Sequence, residues 1–162
     1  MSTNNISIED LSDDKSLRGG NEILKDPNEG TYSDLRDEIN SGTGVIKLSK
    51  IKYVYTDNDG DTITINKNID GNGAVIDMQN SGKQVFYVTA SHTTIKNLTI
   101  MNANYNGSGA AVYFNHSGTV ENCNFINNTN TGHYDINTHI SYGDGGAVYF
   151  YDNGSKVINS NF

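Results

Sequence analysis

The chain has 162 residues, enough for one domain with a modest core, and its net charge is −8 at neutral pH. This acidic balance argues against a nucleic-acid partner, because binding to a phosphate backbone needs clustered lysine and arginine. A single cysteine excludes an internal disulfide, and no apolar run reaches the roughly 18 residues of a membrane-spanning helix.

Residues 1–29 form an acidic stretch without a regular hydrophobic period, and Gly19, Gly20 and Pro27 interrupt it. We therefore predict a flexible acidic leader over residues 1–29 and a folded domain over residues 30–162. The opening letters MSTNNISIEDLSDD lack the basic segment followed by an apolar segment that is typical of a signal peptide. The protein is either cytosolic, or its export signal lies outside this sequence.

A short amphipathic helix is predicted next, over residues 31–41. Thr31 followed by Asp34 resembles a capping box, in which side chains and backbone amides bond reciprocally at a helix start. Three apolar side chains fall on one face of this helix: Tyr32, Leu35 and Ile39. Three short runs rich in β-forming residues follow, GVIKLS, KYVYT and TITIN, with the turn DNDGD between the last two.

From about residue 75 the sequence repeats itself. The stretches IKNLTI (95–100), VENCNF (120–125) and VINSNF (157–162) share an apolar residue with an asparagine two positions later. Upstream of each lies a triplet with a central tyrosine: FYV, VYF and VYF. The first two copies are 25 to 26 residues apart, and the next two are 36 to 37 residues apart. The excess falls in a predicted insertion loop at residues 129–146.

A period near 25 residues, with several strand-sized runs and no intervening helix, limits the architecture. The leucine spacing of leucine-rich repeats is missing, and a propeller blade needs about 40 residues. We therefore predict an all-β fold, a right-handed parallel β-helix of about four to five coils over residues 45–162. One coil cannot bury its own apolar face, so the sequence repeats to stack another coil on it. The helix would cap the first coil, whereas the pattern stops at Phe162, as in a chain truncated at its C-terminus.

Asparagines support this register. Asn97, Asn122 and Asn159 take the same place in successive coils, between two strands that meet at a corner. Asparagine tolerates the left-handed backbone conformation that such a corner needs. Because stacked coils lie about 4.8 Å apart, we expect the equivalent side-chain amides to bond into an asparagine ladder. The alternative is that these are ordinary turn residues in a sequence with 24 asparagines.

Three segments together, GTYSDLRDEINSG, ITINKNIDGNGAVIDM and GGAVYFYDNGSKVINSNF, carry a family resemblance. The chain resembles, over roughly residues 22–162, the N-terminal part of archaeal adhesin-like proteins of methanogens. Those proteins have right-handed parallel β-helix repeats of the pectate-lyase-like type. The resemblance implies an extracellular or cell-surface location, and contact with surface polysaccharide or with a cell-surface protein of another cell. It also implies further coils and an export signal, so we expect this chain to be a fragment or a shortened gene product.

Tyrosines give the best candidate binding surface. Tyr87, Tyr113 and Tyr149 are the central residues of the three repeated triplets. If the flanking residues face the core, strand alternation turns these tyrosines outward, as a flat aromatic row with neighbours about 4.8 Å apart. The family resemblance implies that this sheet binds glycans, and Tyr151 would extend the row. The alternative is a purely structural row, because aromatic neighbours on adjacent strands stabilise a sheet by themselves.

Other candidate sites have simpler explanations. The insertion loop carries four side chains that could bind a metal: His133, Asp135, His139 and Asp144. Their spacing is not a recognised zinc signature, so we predict an exposed loop and no metal site.

The segment DNDGD (57–61) lacks the glycine and glutamate that an EF-hand loop needs at its sixth and twelfth positions. This favours a surface hairpin turn and leaves a weak calcium site as the alternative. Cys123 takes the place of Leu98 in its coil and is predicted to be a small core residue.

Catalysis is not expected from these residues. Glycoside hydrolysis needs two carboxylates facing each other, and no acidic pair recurs on one face of the coils. Uronate lyases of similar fold use an arginine or lysine base, and no arginine follows Arg36. We predict a non-catalytic, adhesin-like module without cofactors. The alternatives are a polysaccharide lyase or glycosidase of the same fold, or a β-helix remnant without present activity.

The last coil is predicted to lack a cap, and an exposed apolar strand edge favours self-association through that coil.

Overall fold

The computed structural model describes residues 26–162. Most of the predicted leader, residues 1–25, lies outside the described residues. Glu29, which the sequence pattern assigns to the leader, already belongs to the first strand. The folded part therefore includes the last residue of the predicted leader.

The described residues form one helix and eighteen short strands. Their bounds in chain order are β1 Glu29–Thr31, α1 Tyr32–Ser41, β2 Ile46–Lys47, β3 Lys52–Val54, β4 Ile63–Ile65, β5 Ile69–Asp70, β6 Val75–Asp77, β7 Phe86–Val88, β8 Thr93–Lys96, β9 Thr99–Met101, β10 Asn104–Tyr105, β11 Val112–Phe114, β12 Gly118–Glu121, β13 Asn124–Ile126, β14 Thr129–Asn130, β15 His133–Asp135, β16 Ile140–Tyr142, β17 Val148–Phe150 and β18 Lys156–Ile158. Within residues 26–162 no strand exceeds four residues, as expected for coils with frequent corners.

Most strands stack into three parallel sheets. Sheet A contains β1, β3, β6, β9 and β13; sheet B contains β2, β5, β8, β12 and β18; sheet C contains β4, β7, β11 and β17. Along the chain, one strand each from sheets C, B and A makes one coil, and the pattern then repeats. The fold is a parallel β-solenoid of about four turns, which confirms the predicted all-β parallel architecture.

Helix α1 takes the place of a sheet C strand in the first coil. Thr31 is its N-cap, and the predicted capping box with Asp34 is present in both directions. The three side chains of its predicted apolar face are buried: Tyr32, Leu35 and Ile39. The Tyr32 hydroxyl donates to the Val85 carbonyl (2.6 Å) and accepts from the Ile63 amide (3.1 Å). The helix therefore closes the first coil, as the sequence predicts.

The core lies between the three sheets and follows strand alternation. In β7 and β11, the first and third residues of each triplet are fully buried and the central tyrosine is half-buried. The same register continues from β11 to β17, where Val112 pairs with Val148 and Phe114 with Phe150. Aromatic rings also stack inside the core, with 4.8 Å between the centroids of Phe114 and Phe150. Each coil thus covers the apolar face of the previous coil.

The second coil has a wider corner than the third. The inward isoleucines of IKNLTI are five positions apart, whereas Ile69 and Ile76 of IDGNGAVI are seven positions apart. Nevertheless, Ile69 pairs with Ile95 and Ile76 with Ile100. The extra residues form a turn in which Asn72 has a left-handed φ of 52°. Gly71 is required there, because a Cβ atom at this position would lie 2.3 Å from Leu98 Cβ. The wider corner leaves the register intact.

The predicted insertion loop is partly ordered into strands. β14 extends from the end of the third coil and pairs in parallel with β10. β15 and β16 then form an antiparallel hairpin before the chain re-enters sheet C at β17. The Asp135 carboxylate accepts the Asn137 amide (2.8 Å), an interaction typical of a tight turn. The extra residues therefore build a hairpin on the solenoid rather than an irregular loop.

Candidate functional site

Three tyrosines align on the outer face of sheet C. Tyr87 pairs with Tyr113, and Tyr113 pairs with Tyr149, across neighbouring parallel strands. Thr64 of β4 precedes Tyr87 in the same register. We call Tyr87, Tyr113 and Tyr149 the tyrosine row. The residues on both sides of Tyr87 and of Tyr113 are fully buried, and those beside Tyr149 are partly buried, so strand alternation turns all three side chains outward.

The rings of the tyrosine row lean against each other. Their centroids are 5.2 Å apart between Tyr87 and Tyr113, and 5.1 Å apart between Tyr113 and Tyr149. The ring planes differ by 26° and 36°. A coplanar row at this separation would make the edge atoms of neighbouring rings overlap, so the faces turn partly toward each other. Tyr87 and Tyr113 are therefore stacked, and Tyr149 is tilted against Tyr113. The row opens less ring face to a ligand than the flat row expected from strand spacing.

The central hydroxyl is surrounded by other phenols. Burial raises the pKa of the Tyr113 hydroxyl, and the nearby phenols of Tyr149, Tyr87 and Tyr151 raise it further. The hydroxyl therefore stays protonated at neutral pH and can both donate and accept a hydrogen bond. Tyr151 is 65% exposed, and its amide donates to the Phe114 carbonyl (2.9 Å), which continues the sheet register beyond β17. The structure thus places Tyr151 beside the tyrosine row.

The predicted asparagine ladder is confirmed between the side chains of Asn97 and Asn122, and Asn159 shares their backbone conformation. Asn97, Asn122 and Asn159 all have left-handed backbones, with φ of 57°, 51° and 46°. Nδ2 of Asn122 donates to Oδ1 of Asn97 (3.3 Å), and Nδ2 of Asn97 donates to Oδ1 of Asp70 (3.0 Å). Asp70 was not recognised as a member from the sequence pattern. Because these groups bond to one another along the coils, they stabilise the corner rather than form a ligand site.

A second corner of the same type was missed by the sequence analysis. Asn102 and Asn127 have left-handed backbones, with φ of 56° and 52°. Nδ2 of Asn102 donates to the buried carboxylate of Asp77 (2.9 Å), and its amide donates to the Ile126 carbonyl (3.0 Å). The signal was present, because Asn102 and Asn127 end the aligned stretches IKNLTIMN and VENCNFIN.

The side chains predicted as a possible metal set do not make a built site. Among residues 26–162, no three His, Cys, Asp or Glu side chains are grouped so that they could hold a metal ion. Asp135 accepts backbone amides within its own turn, and hydrogen bonds from the Asn137 amide chiefly lower the pKa of its carboxyl. Ile136, in the turn of the hairpin, is 73% exposed.

The DNDGD segment has a structural role. It connects sheet A to sheet C, so it is a corner rather than the predicted hairpin turn. The Asp59 carboxylate is buried and accepts from the Thr56 hydroxyl (2.9 Å) and the Ser33 amide (3.3 Å). These hydrogen bonds outweigh the burial of Asp59 and lower the pKa of its carboxyl. Arg36 of α1 donates to the Asp59 and Asp61 carbonyls, which ties the helix to the corner.

Cys123 is a core residue, as predicted. Its side chain is 2% exposed, and burial raises the pKa of the thiol. Sγ lies 3.3 Å from the Glu121 carbonyl, consistent with a weak hydrogen bond donated by the thiol. These surroundings favour the neutral thiol and make Cys123 a poor nucleophile.

A groove beside α1 lies away from the tyrosine row. It has a volume of about 450 Å³ and is lined by Asp26, Glu29, Asp34, Glu38, Lys50 and Tyr53. Several of these groups are used in the fold: Glu38 accepts the Tyr53 hydroxyl and the Ser49 amide (2.7 Å). Burial, together with the bond to Glu38, raises the pKa of Tyr53 to about 12. We therefore assign this groove to helix capping.

Comparison with known proteins identifies no relative of this chain. No family model, no curated protein and no solved structure matches the chain. Within the part of the chain that the structure describes, no helix is both long and apolar enough to cross a membrane. The candidate surface is a row of half-buried tyrosines on the outer face of a parallel sheet.

Proposed function

We propose that this chain is a non-catalytic, adhesin-like recognition module that acts at a cell surface or outside the cell. In this proposal, the tyrosine row contacts surface polysaccharide, or a glycan-bearing surface protein, of another cell. The observation that carries the proposal is the alignment of three half-buried tyrosines on one exposed sheet face. Tyrosine combines an apolar ring with a hydroxyl group, which suits the mixed apolar and polar surface of a sugar.

Rigid support favours recognition by this surface. The residues beneath the tyrosine row, including Phe86, Val112 and Phe114, are fully buried and hold the strands in register. A ligand would therefore meet hydroxyl groups whose spacing is fixed before binding, which lowers the entropic cost of association. Each ring contact contributes on the order of 1 kcal/mol, so a single module would bind weakly. Strong adhesion would need many modules on one surface, acting through avidity.

The environment of the carboxylates favours recognition over catalysis. Asp59 and Asp77 are the buried carboxylates of the described residues, and both accept hydrogen bonds from groups of the fold. Glycosidases instead need two carboxyl groups that face a shared cleft. Asp59 lies at the corner beside α1, whereas Asp77 lies on sheet A at the second asparagine corner. We therefore assign these acids to structure in this proposal.

The first test compares two substitutions at the centre of the row. Tyr113→Ala removes the central ring and should abolish most adhesion to isolated cell-wall polysaccharide. It should also lower stability by roughly 1–3 kcal/mol, because two stacked contacts are lost. Tyr113→Phe keeps the stack and should leave the thermal midpoint close to that of the wild-type protein, while adhesion falls a few-fold through loss of one hydroxyl. Adhesion and thermal midpoint are measured on the same samples.

The matched control is Thr119→Ala, which truncates an outward residue of β12 on sheet B. This variant should bind as the wild-type protein does. Adhesion that survives Tyr113→Ala, together with a lowered thermal midpoint, would show that the row is structural and that the contact lies elsewhere.

A further inference from the structure

A polar pair lies at the corner that follows the tyrosine strands. Nδ1 of His116 and Oδ2 of Asp152 are 3.1 Å apart, and both side chains are about half exposed. His116 follows β11 and Asp152 follows β17, so the pair bridges neighbouring coils. Asp152 comes three residues after Tyr149, so its Cα lies no more than roughly 10 Å from the Cα of Tyr149. The pair therefore lies along one side of the tyrosine row.

The histidine holds the carboxylate in one orientation. Nε2 of His116 lies 3.5 Å from Nδ2 of Asn115, and Nδ1 faces Asp152, so both ring nitrogens have polar neighbours. With the proton on Nδ1, the ring donates to Asp152 and can accept from Asn115. A carboxylate has about four acceptor positions, and one hydrogen bond to His116 leaves acceptor capacity for a ligand. Asp152 can thus accept from hydroxyl groups of a molecule that lies on the row.

The charges around the row discriminate against anions. Asp152 and Asp144 are carboxylates at the two ends of the segment that contains β17. Lys83 is the basic residue nearest in sequence to Tyr87, and its ammonium is paired with the Asp61 carboxylate. The whole chain has a net charge of −8. A polyuronate or sulfated polymer would therefore meet like charge from these carboxylates and from the chain as a whole.

We propose that the tyrosine row takes a neutral, hydroxyl-rich polysaccharide, and that Asp152 is the hydrogen-bond acceptor that recognises its hydroxyl groups. His116 is the positioning residue for this carboxylate. Tyr151 completes the surface, because its exposed side chain lies between the row and Asp152 in the sequence and shares the outward face of sheet C. This assignment rests on the proposed function and adds the class of ligand and the residue that selects it.

The experiment measures the affinity of soluble polymers by affinity electrophoresis. The probes are a neutral β-glucan, a neutral mannan and polygalacturonate at the same ionic strength. Asp152→Asn should weaken binding of the best neutral polymer tenfold or more, because the amide offers fewer acceptor positions than the carboxylate. Asp144→Asn makes the same change of charge at the other end of the segment and should leave affinity within twofold. His116→Ala should weaken binding, and His116→Asn, which restores a donor, should recover part of the loss.

The outcomes separate this inference from the proposed function. If Asp152→Asn binds like the wild-type protein while Tyr113→Ala does not bind, the row is the contact and the role of Asp152 is wrong. Equal losses for Asp152→Asn and Asp144→Asn would reduce the effect to net charge and overturn the acceptor role. Binding of polygalacturonate as tight as that of the neutral polymers would overturn the ligand class. If the wild-type protein binds none of the probes, both the proposed function and this inference fail.

Discussion

Asp70 shows how a single residue orients one corner of the solenoid. Its Oδ1 atom accepts from Nδ2 of Asn97 (3.0 Å) and from the amide of Asn72 (3.0 Å). Because an ionised carboxylate only accepts, it forces Nδ2 of Asn97 to point toward it and Oδ1 of Asn97 to point toward the next coil. Oδ1 of Asn97 then accepts from Asn122. The carboxylate therefore sets the direction of the asparagine ladder.

This role predicts a pH-dependent stability. The hydrogen bond from Asn97, followed by that from the Asn72 amide, lowers the pKa of Asp70 below its ordinary value. A lowered folded-state pKa gives stability that is present above the unfolded pKa of about 3.9 and is lost as the pH falls through the folded pKa. Asp70→Asn should cost about 1 kcal/mol at pH 6, and the difference should shrink as the pH falls below the unfolded pKa. Urea unfolding of both proteins across this range measures it.

The control for the Asp70 experiment is Asp57→Asn, the same chemical change at an exposed turn position. Its free energy of unfolding should stay within about 0.5 kcal/mol of the wild-type value. A wild-type advantage over Asp70→Asn that persists unchanged at pH 2 would show that side-chain shape, rather than charge, orients the ladder.

For single residues, the sequence predicted the sheet face on which a side chain lies better than the ring and side-chain contacts that it makes there. The alternation of buried and exposed residues placed Tyr87, Tyr113 and Tyr149 on one face, and the structure has them in register. The tilt of the rings was not predictable from alternation, because it depends on how side chains avoid each other at the spacing of adjacent strands. The pairing of His116 with Asp152 could have been read from the same alignment, because these residues are 36 positions apart, as Tyr113 and Tyr149 are.

Among the elements, helix α1 is stabilised by contacts with the coils as well as by its own capping residues. The capping box could be predicted because Thr31 and Asp34 are close in sequence. The other end depends on Lys67, whose ammonium donates to the carbonyls of Ile39 (3.1 Å) and Gly42 (2.7 Å). A cation at the C-terminus of a helix satisfies carbonyls that lack partners there. This contact joins residues brought together only by coil stacking, so no local pattern reveals it.

The cap makes a prediction about Tyr32. Its hydroxyl joins the Val85 carbonyl to the Ile63 amide and so continues the hydrogen bonds of sheet C into the helix. The Ile63 amide also donates directly to the Val85 carbonyl (3.0 Å). Tyr32→Phe therefore leaves both backbone groups one partner and should lower the free energy of unfolding by about 1 kcal/mol. Tyr151→Phe removes an exposed hydroxyl and should change stability by less than about 0.5 kcal/mol. Urea unfolding curves of equal slope would show that only stability differs.

For the whole molecule, the sequence repeat predicts the solenoid architecture but does not predict the chemistry of its surfaces. Equivalent residues recur near every 25 positions, and a period of that length with strand-sized runs favours a stacked coil. The two ends of the stack differ in chemistry. α1 covers the first coil, whereas the last coil exposes Val157 at 47%, Ile158 at 38% and Phe162 at 68%. Within the described residues, β17 and β18 each pair with another strand on one side.

This asymmetry predicts the form of self-association for the 162-residue polypeptide. Head-to-tail stacking would bring the last coil against α1, which takes the place of a sheet C strand and offers no strand edge there. We therefore expect two copies to meet through their last coils, related by a two-fold axis. Such an interface closes, and we expect a dimer rather than a fibre. Val157→Lys together with Phe162→Ser should abolish the dimer, whereas Val45→Lys, at a residue 58% exposed near the first coil, should not. Sedimentation velocity over a range of concentrations decides: a monomer at every concentration, or species that grow without limit, would contradict the two-fold contact.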